Sequence, residues 1–263
     1  MYQTMSIRGA LAKIRLAVDG RQGLSCILGD VGLGKSSLLR FLQAEYSADE
    51  NSLTTLLTTG KFPSPFAFLK KITGDFGITP KRSLMAQIET FETFLVDQHK
   101  AGKNVIVFVD EAQLLDSECL ELVRTLLNFE THTEKLIQIV LSGQLDLRER
   151  LLQKKHKAFR SRIFAPVILN ALNREETSSM IQYRCDYWEL PNPFNSVALN
   201  RIHEVTAGVP RFVLQLCAIS YQMAESLGEK AVNEDLVDSA SQELSLDMEG
   251  DELAAEANNV PVS

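Results

Sequence analysis

A glycine-rich loop between an apolar strand and a helix is the feature that most constrains how this chain folds. Residues 24–28 form a short apolar run, and helical spacing begins at Lys35 and continues to about Tyr46. Between them, residues 29–36 read GDVGLGKS and fit the pattern GxxxxGK[ST]. Strand, glycine loop and helix in this order predict a phosphate-binding unit, which an amphipathic helix at residues 6–18 precedes.

This loop predicts a site for the phosphates of ATP. Its backbone N–H groups would surround the β-phosphate, and the following helix offers its positive N-terminal end. Lys35 is expected to reach the β and γ phosphates, and the Ser36 hydroxyl to bind Mg²⁺. The alternative is a coincidental glycine turn, which the position between strand and helix disfavours. The residues predicted to bind ATP are Gly29, Asp30, Val31, Gly32, Leu33, Gly34, Lys35, Ser36 and Ser37.

Two acids follow the second apolar run. Residues 105–109 are five consecutive apolar residues, mostly β-branched, which is typical of a strand buried on both faces of a parallel sheet. Asp110 and Glu111 come directly after it, where an open α/β sheet has its phosphate crevice. Asp110 would hold magnesium, directly or through water, and Glu111 would polarise the attacking water as general base. The alternative is that both acids cap the following turn.

A third apolar run, residues 136–141, ends in polar residues. A polar side chain at the end of a strand beside the Asp110 strand is placed to orient the water or to sense the γ-phosphate. Gln144 is the first candidate for this role, and Ser142 is the second. The alternative is a polar turn without a function.

Strands and helices alternate up to about residue 172, which predicts a parallel sheet with helices on both faces. No further buried strand is predicted beyond this point, and Pro and Gly residues separate the helices that follow. Besides the runs above, the predicted elements are a strand at 53–58 and helices at 66–76, 83–101, 117–129 (with Ser117 as N-cap), 174–188, 196–206, 211–227 and 233–244.

The predicted domains differ in character. Residues 1–172 form a nucleotide-binding α/β domain, and residues 173–245 form a small all-helical domain. Residues 246–263 form an acidic tail that is expected to be disordered. Six of the 34 acids and none of the 27 bases lie from Glu243 onward, so the net charge of -7 mostly reflects the tail.

Two arginines are candidates for contacts with the phosphates. Arg162 precedes an apolar run near the end of the α/β domain and could serve a neighbouring subunit's site, where it would stabilise charge in the transition state. Arg211 begins a helix of the small domain and could touch the phosphates from there. For each, a surface or salt-bridged arginine is the alternative.

One basic stretch, residues 148–162, is the candidate for sequence-independent contacts with DNA phosphates. It holds seven Lys or Arg residues against one acid, and its alternative is a solvated helix face. Trp188, Tyr183 and Tyr187 are predicted to belong to the core of the small domain. Four scattered cysteines, no apolar run long enough to cross a membrane and no signal peptide favour a cytosolic protein.

These motifs in this order resemble the AAA+ ATPases and, among them, the ExeA type, which also contains transposon-encoded ATPases. The resembling stretches are GDVGLGKSSLLR, VFVDEAQLL, LLNFETHTEKLIQIVLSGQLDLRERL and TAGVPRFVLQLC, and the resemblance spans about residues 5 to 240. It implies an AAA+ domain followed by a helical lid. It also implies a sensor 1 residue at Gln144 (or Ser142), an arginine finger at Arg162 (or Arg160) and a sensor 2 arginine at Arg211.

The resemblance further implies a homo-oligomer, ring or filament, with ATP at subunit interfaces. ExeA proteins of secretion systems resemble this chain only in their cytoplasmic part and continue into a transmembrane helix and a cell-wall-binding domain. We therefore expect a transposition regulator of the TnsC, TniB and MuB kind, which assembles on double-stranded DNA, recruits a transposase and does not insert into a membrane. An ATPase of secretion or pilus assembly that acts with a separate membrane protein is the alternative, and a non-hydrolysing nucleotide switch is a third.

Overall fold

The structure is a computed structural model, and it describes residues 2–243. Within these residues, parallel strands form one sheet in the order β2-β3-β4-β1-β5. The strand that leads into the glycine loop therefore has a neighbour on each side. The strands are β1 (Leu24–Leu28), β2 (Ser52–Leu57), β3 (Asn104–Val109), β4 (Ile137–Gly143) and β5 (Ile163–Ile168).

The register of the sheet brings three strand ends together. Val109 lies opposite Leu141, and Leu28 lies opposite Gly143. Because all the strands run in the same direction, whatever follows β1, β3 and β4 emerges at one edge of the sheet. This edge is where the glycine loop, the acid pair and the polar end of β4 meet.

The first compact unit, which includes residues 3–170, also holds seven helices within the described range. Several begin at a side-chain cap, as when Ser64 accepts a hydrogen bond from the N–H of Ala67 and Ser83 from that of Ala86. The helices are α1 (Met5–Asp19), α2 (Lys35–Ser47), α3 (Pro65–Asp75), α4 (Leu84–Lys100), α5 (Ser117–Leu126), α6 (Leu145–Leu152) and α7 (Lys157–Arg160).

Helices cover both faces of the sheet. Val105, Val107 and Val109 pack into one core cluster together with apolar residues of α3 to α7. Ile106 and Phe108 are also fully buried, and the alternation of a strand directs them to the opposite face. There α1 and α2 pack on each other and against the strands. The predicted parallel sheet between two layers of helices is confirmed.

The second compact unit begins at Ala171 and also takes in Tyr2. It is helical over most of its described length, and its core holds Ile181, Ile202, Val213 and Leu216. The helices are α8 (Arg174–Tyr187), α9 (Ser196–Thr206), α10 (Pro210–Leu227) and α11 (residues 234–243). The acidic tail predicted for residues 246–263 lies outside the described residues.

Two expectations differ from the structure, and one strand was not predicted. Asp116, not Ser117, is the N-cap of α5, because its carboxylate accepts a hydrogen bond from the N–H of Cys119. The apolar run after Arg162 is the edge strand β5, which contains Pro166 and reads poorly as a strand for that reason. Trp188 is 65% exposed, Tyr187 is 66% exposed and Tyr183 is 37% exposed, so the assignment of these three residues to the core was wrong.

No helix in the described part of the chain is long and apolar enough to cross a membrane. All four cysteines are free thiols. Burial raises the pKa of Cys26, Cys119 and Cys217 to about 12. These thiols are therefore protonated at neutral pH, as expected for structural cysteines.

Candidate nucleotide site

The glycine loop connects β1 to α2 with two residues in the left-handed region. Gly32 has φ +81° and Gly34, the N-cap of α2, has φ +90°, conformations that a side chain would strain. No side chain caps the start of α2, so its first N–H groups remain available to an anion. Lys35 is only 7% exposed, and its Nζ donates to the backbone oxygen of Asp30 at 2.7 Å.

Of the other loop residues, Leu33 is buried, Ser36 is half-buried at the first turn of α2, and Ser37 is exposed. Leu33 packs toward Gly29, since a Cβ atom at that glycine would lie 3.2 Å from Leu33 Cδ1. Asp30 is exposed and Val31 is half-buried. The loop is thus anchored by the buried apolar side chain of Leu33.

Asp110 is the more buried of the two acids of the site. It is 7% exposed, and its Oδ1 accepts hydrogen bonds from Ser142 Oγ at 2.9 Å and from the N–H of Glu111 at 3.0 Å. Both donors are neutral groups, a hydroxyl and a backbone amide. Carboxylate and hydroxyl oxygens are the ligands that Mg²⁺ prefers, and Asp110 together with Ser36 fits this ion.

Glu111 has an unusual backbone. Its φ of +51° and ψ of +39° lie in the left-handed region, which is uncommon for a residue with a side chain. Gly60 packs directly against this turn, since a Cβ atom there would lie 2.4 Å from the carbonyl oxygen of Glu111. The turn that presents the acid is therefore held from the loop that follows β2.

Gln113 connects Glu111 to the end of β4, which the sequence reasoning did not foresee. Its Nε2 donates to Glu111 Oε2, and its Oε1 accepts from the N–H of Gln144 at 3.2 Å. Its backbone oxygen accepts from Nη1 of Arg150 at 3.2 Å. In the sequence, the only indication of this link is a glutamine two residues after the acid pair Asp110 and Glu111.

The two candidates for sensor 1 reach the site differently. Ser142 is fully buried and binds Asp110 through its side chain. Gln144 is the N-cap residue of α6, makes no side-chain capping bond, and contacts the site through its backbone N–H. Its role as sensor stays a prediction.

Both finger candidates have partners within the chain. Arg162 donates from Nη1 to Asn128 Oδ1 at 2.7 Å, and Arg160 donates from Nη1 to the backbone oxygens of Leu151 and Leu152 at 3.0 Å each. Arg162 is held by this side-chain amide and by the backbone oxygen of Arg124 at 3.4 Å, and Arg160 by two carbonyl groups at the end of α6. Arg211 lies in the first turn of α10 and is exposed.

The basic stretch divides into two groups. Arg150, Arg160 and Arg162 are half-buried and bonded to backbone or side-chain oxygens of their own unit. Burial lowers the pKa of Arg150, an effect that the carboxylate of Asp116 partly opposes. The fully exposed bases are Arg148, Lys154, Lys155 and Lys157.

The phosphate loop follows the central strand β1, and Asp110 follows β3, which lies two strands away in the sheet. This arrangement defines a P-loop nucleotide-binding protein of the α/β class. The chain matches the AAA domain family over residues 18–151, just over half of its length, and it belongs to that family.

One curated relative can be aligned with most of the chain. The general secretion pathway protein A of Aeromonas hydrophila is 28% identical over 220 residues, which cover 82% of this chain and 40% of that protein. The chain thus spans about two fifths of the length of this relative. The similarity agrees with the ExeA-type resemblance, whereas a relationship to transposon ATPases stays a prediction.

Solved structures share the fold at low identity. The ORC2 protein of Aeropyrum pernix, in ADPNP and ADP complexes, is 18% identical, with a TM-score of 0.66 over 92% of this chain and 68% of that chain. Cdc6p from Pyrobaculum aerophilum is 16% identical, with a TM-score of 0.68 over 92% and 69%. The RuvB Holliday junction branch migration motor of Thermotoga maritima is 17% identical, with a TM-score of 0.55 over 89% and 68%.

Proposed function

We propose that this chain binds ATP with Mg²⁺ and hydrolyses it. The observation that carries the proposal is the Ser142–Asp110 hydrogen bond, because it joins the ends of β4 and β3 next to the strand that bears the phosphate loop. A buried acid, a phosphate loop and a second acid at one sheet edge are the groups that phosphoryl transfer to water requires.

Each residue has a distinct proposed role. The loop amides and Lys35 bind the phosphates, and Ser36 and Asp110 hold the metal. Glu111 accepts a proton from the attacking water as general base. Magnesium, when bound, would neutralise charge on the phosphate oxygens. Gln144 or Ser142 would sense the γ-phosphate, and Arg211 would contact it from the helical unit.

The direct test is nucleotide binding and turnover in Lys35→Ala. This variant should lose ATP binding, because a buried ammonium group of the loop is removed. Lys13→Ala is the matched control, since Lys13 is exposed on α1. Unchanged ATP affinity in Lys35→Ala would refute the proposed site, and binding without any turnover in the wild type would refute the ATPase.

The proposed role of the ATP-bound form is assembly on double-stranded DNA, as a transposition regulator that recruits a transposase. The four exposed bases Arg148, Lys154, Lys155 and Lys157 support DNA contact, because they lie close in sequence and have no salt-bridge partner among the described residues. In such an assembly, Arg162 would act at the site of a neighbouring subunit.

This role predicts an association that weakens steeply with salt. If the four bases contact phosphates, the slope of log K against log [salt] should approach about -3.6, since each contact contributes about -0.9. Lys154→Ala and Lys157→Ala should each reduce the slope by about one, whereas Lys13→Ala should not. Negative-stain imaging and titration at low salt with a non-hydrolysable ATP analogue test this role. If neither detects DNA binding, assembly on DNA is excluded.

A second candidate role is secretion or pilus assembly together with a separate membrane protein. The 28% identity to general secretion pathway protein A supports it. In that case the protein should co-purify with a membrane complex in an ATP-dependent way, and the Lys154→Ala and Lys157→Ala variants should behave as the wild type. Genomic neighbourhood, with transposase genes or secretion genes alongside, separates the two roles independently.

A further inference from the structure

Gln113 lies in a single 3-10 turn, Ala112–Leu114, that follows the acid pair. Its side-chain amide is used at both ends. Nε2 donates to Glu111 Oε2, and Oε1 accepts from the backbone N–H of Gln144, the residue that begins α6. One side chain thus bridges the carboxylate proposed as general base and the first residue after β4.

The end of β4 is shaped to admit this glutamine. A Cβ atom at Gly143 would lie 3.2 Å from Gln113 Oε1, 3.3 Å from its backbone nitrogen and 2.8 Å from Leu147 Cδ2. A side chain at position 143 would therefore displace Gln113 or the first turn of α6. The glycine between Ser142 and Gln144 keeps this approach open.

Arg150 holds the main chain of the same residue. Its Nη1 donates to the backbone oxygen of Gln113, while its buried Nε and Nη2 have no hydrogen-bond partner among the described residues. The hydrogen-bonding groups of the Arg150 guanidinium are therefore only partly satisfied. The acceptor that it has is the backbone oxygen of Gln113. Gln113 is consequently tied to α6 at two points, Gln144 and Arg150.

The backbone of Glu111 is already constrained by its left-handed conformation and by the close approach of Gly60. Only the side-chain torsions of Glu111 remain to be fixed, and the Gln113 amide is the group that fixes them. Because Oε2 accepts from the amide, the proposed mechanism leaves Oε1 to accept the proton of the attacking water.

We infer that Gln113 is a positioning residue for Glu111, and that it links the orientation of this carboxylate to the N-terminal end of α6. The inference rests on the proposed ATPase function. Gln113 does not touch the reacting atoms and acts only through Glu111. The competing interpretation is that Gln113 merely stabilises the turn by satisfying the N–H of Gln144.

Two variants separate these interpretations. Gln113→Leu removes both bonds of the side chain. Gln113→Glu keeps the acceptor for Gln144 N–H but places a carboxylate, which cannot donate, against Glu111. A positioning role predicts that both variants lose activity, whereas a role in the turn alone predicts that Gln113→Glu keeps it. Gln153→Leu, an exposed glutamine at the end of α6, is the matched control.

The experiment measures kcat and KM for ATP, together with the Kd of a fluorescent ATP analogue and the thermal midpoint of each variant. We expect kcat to fall by about 10- to 100-fold in both variants, the scale of a misplaced catalytic group, while Kd stays within about twofold. Unchanged or increased kcat in Gln113→Leu, or full activity in Gln113→Glu, would overturn the inference. If Gln113→Leu does not fold, Gln113→Glu decides alone.

A double variant gives an independent readout. In Glu111→Gln, adding Gln113→Leu should cause no further loss of kcat, because the group that Gln113 positions is already disabled. A further loss as large as in the wild-type background would show that Gln113 acts elsewhere, against the inference. Wild-type protein that binds ATP without turnover would overturn the ATPase and the inference together, whereas turnover that is insensitive to Gln113 would overturn only the inference.

Discussion

Ser142 Oγ and Asp110 Oδ1 lie 2.9 Å apart and join two neighbouring strands by a side-chain hydrogen bond. Ser142 belongs to β4, which pairs on its other edge with β1, the strand of the phosphate loop. The bond therefore sets the position of Asp110 relative to the loop through the rigid frame of the sheet. Polar groups buried in this way are costly to leave without partners.

Ser142→Ala tests this bond. The variant removes one of two donors to a buried carboxylate, and we expect the free energy of unfolding to fall by about 1–3 kcal/mol. We also expect the Mg²⁺ concentration required for half-maximal ATP turnover to rise, since Asp110 is less firmly held. Urea denaturation and Mg²⁺ titration measure the two effects. Ser226→Ala, at an exposed helical serine, should change stability by less than about 0.5 kcal/mol.

Glu111→Gln tests the proposed general base. The amide keeps the size of the side chain but is a far weaker base than the carboxylate. Turnover should therefore fall by about 10²- to 10⁴-fold. ATP binding should persist, because Glu111 does not belong to the loop. Single-turnover hydrolysis and equilibrium binding separate the two, and full turnover in this variant would assign the base elsewhere.

Gly60→Ala tests the contact between the loop after β2 and the acid turn. The new Cβ atom would lie 2.4 Å from the Glu111 carbonyl oxygen and 3.2 Å from the N–H nitrogen of Leu115, so the backbone must shift. We expect a loss of about 1–3 kcal/mol of stability and reduced kcat. Gly74→Ala is the control: it meets nothing within 4 Å in α3 and should stabilise by about 0.5–1 kcal/mol. Thermal unfolding and turnover of both variants make the comparison.

Arg162→Ala tests the proposed finger. Turnover of the assembled protein should fall by about 10³-fold, whereas ATP binding by the monomer should be unchanged. Asn128→Ala removes the side-chain acceptor that holds Arg162 within its own chain, and it should leave turnover unchanged or increase it. If the loss instead follows Arg160→Ala, the finger is Arg160.

His156 predicts a pH dependence of stability. Burial lowers the pKa of its imidazole, and the positive charges of Lys155 and Arg150 lower it further. Its buried Nε2 also has no hydrogen-bond partner among the described residues. In the unfolded chain the imidazole takes up a proton near pH 6.5, so the unfolded state binds more protons below that pH.

The contribution of His156 to stability is therefore fully present above about pH 6.5 and is lost as the pH falls through the lower pKa of the folded state. Denaturant unfolding at a series of pH values between 8 and 5 measures this loss. His156→Gln should flatten the curve across that interval. If the free energy of unfolding depends on pH in the same way in His156→Gln as in the wild type, the prediction is wrong.

The sheet and the loop were predictable because their signals are local. Continuous apolar runs such as residues 105–109 identify buried strands, and the spacing of glycines and Lys35 identifies the loop. Parallel register then brings the ends of β1, β3 and β4 to one edge without further information. The same reasoning predicted a polar residue at the end of the strand beside the Asp110 strand, with Gln144 as first candidate and Ser142 as second, and the structure shows that Ser142 is the one whose side chain contacts Asp110.

Long-range contacts of single side chains were not predictable. The bridge from Gln113 to Glu111 and Gln144 depends on Gly143 leaving space, which becomes visible only with coordinates. The identity of the N-cap of α5 depends on the position of one carboxylate, that of Asp116, which accepts from the N–H of Cys119. Trp188 was assigned to the core, but it is the C-cap residue of α8 and is 65% exposed.

The left-handed turn at Glu111 has a consequence for engineering. Glycine or asparagine adopts this conformation with less strain than glutamate, by an amount on the order of 1 kcal/mol. A library screened only for heat resistance should therefore accumulate Glu111→Gly and Glu111→Asn, the variants that give up the proposed base. A thermostable variant selected without a test of turnover would therefore keep the nucleotide-binding fold and lose the proposed ability to hydrolyse ATP.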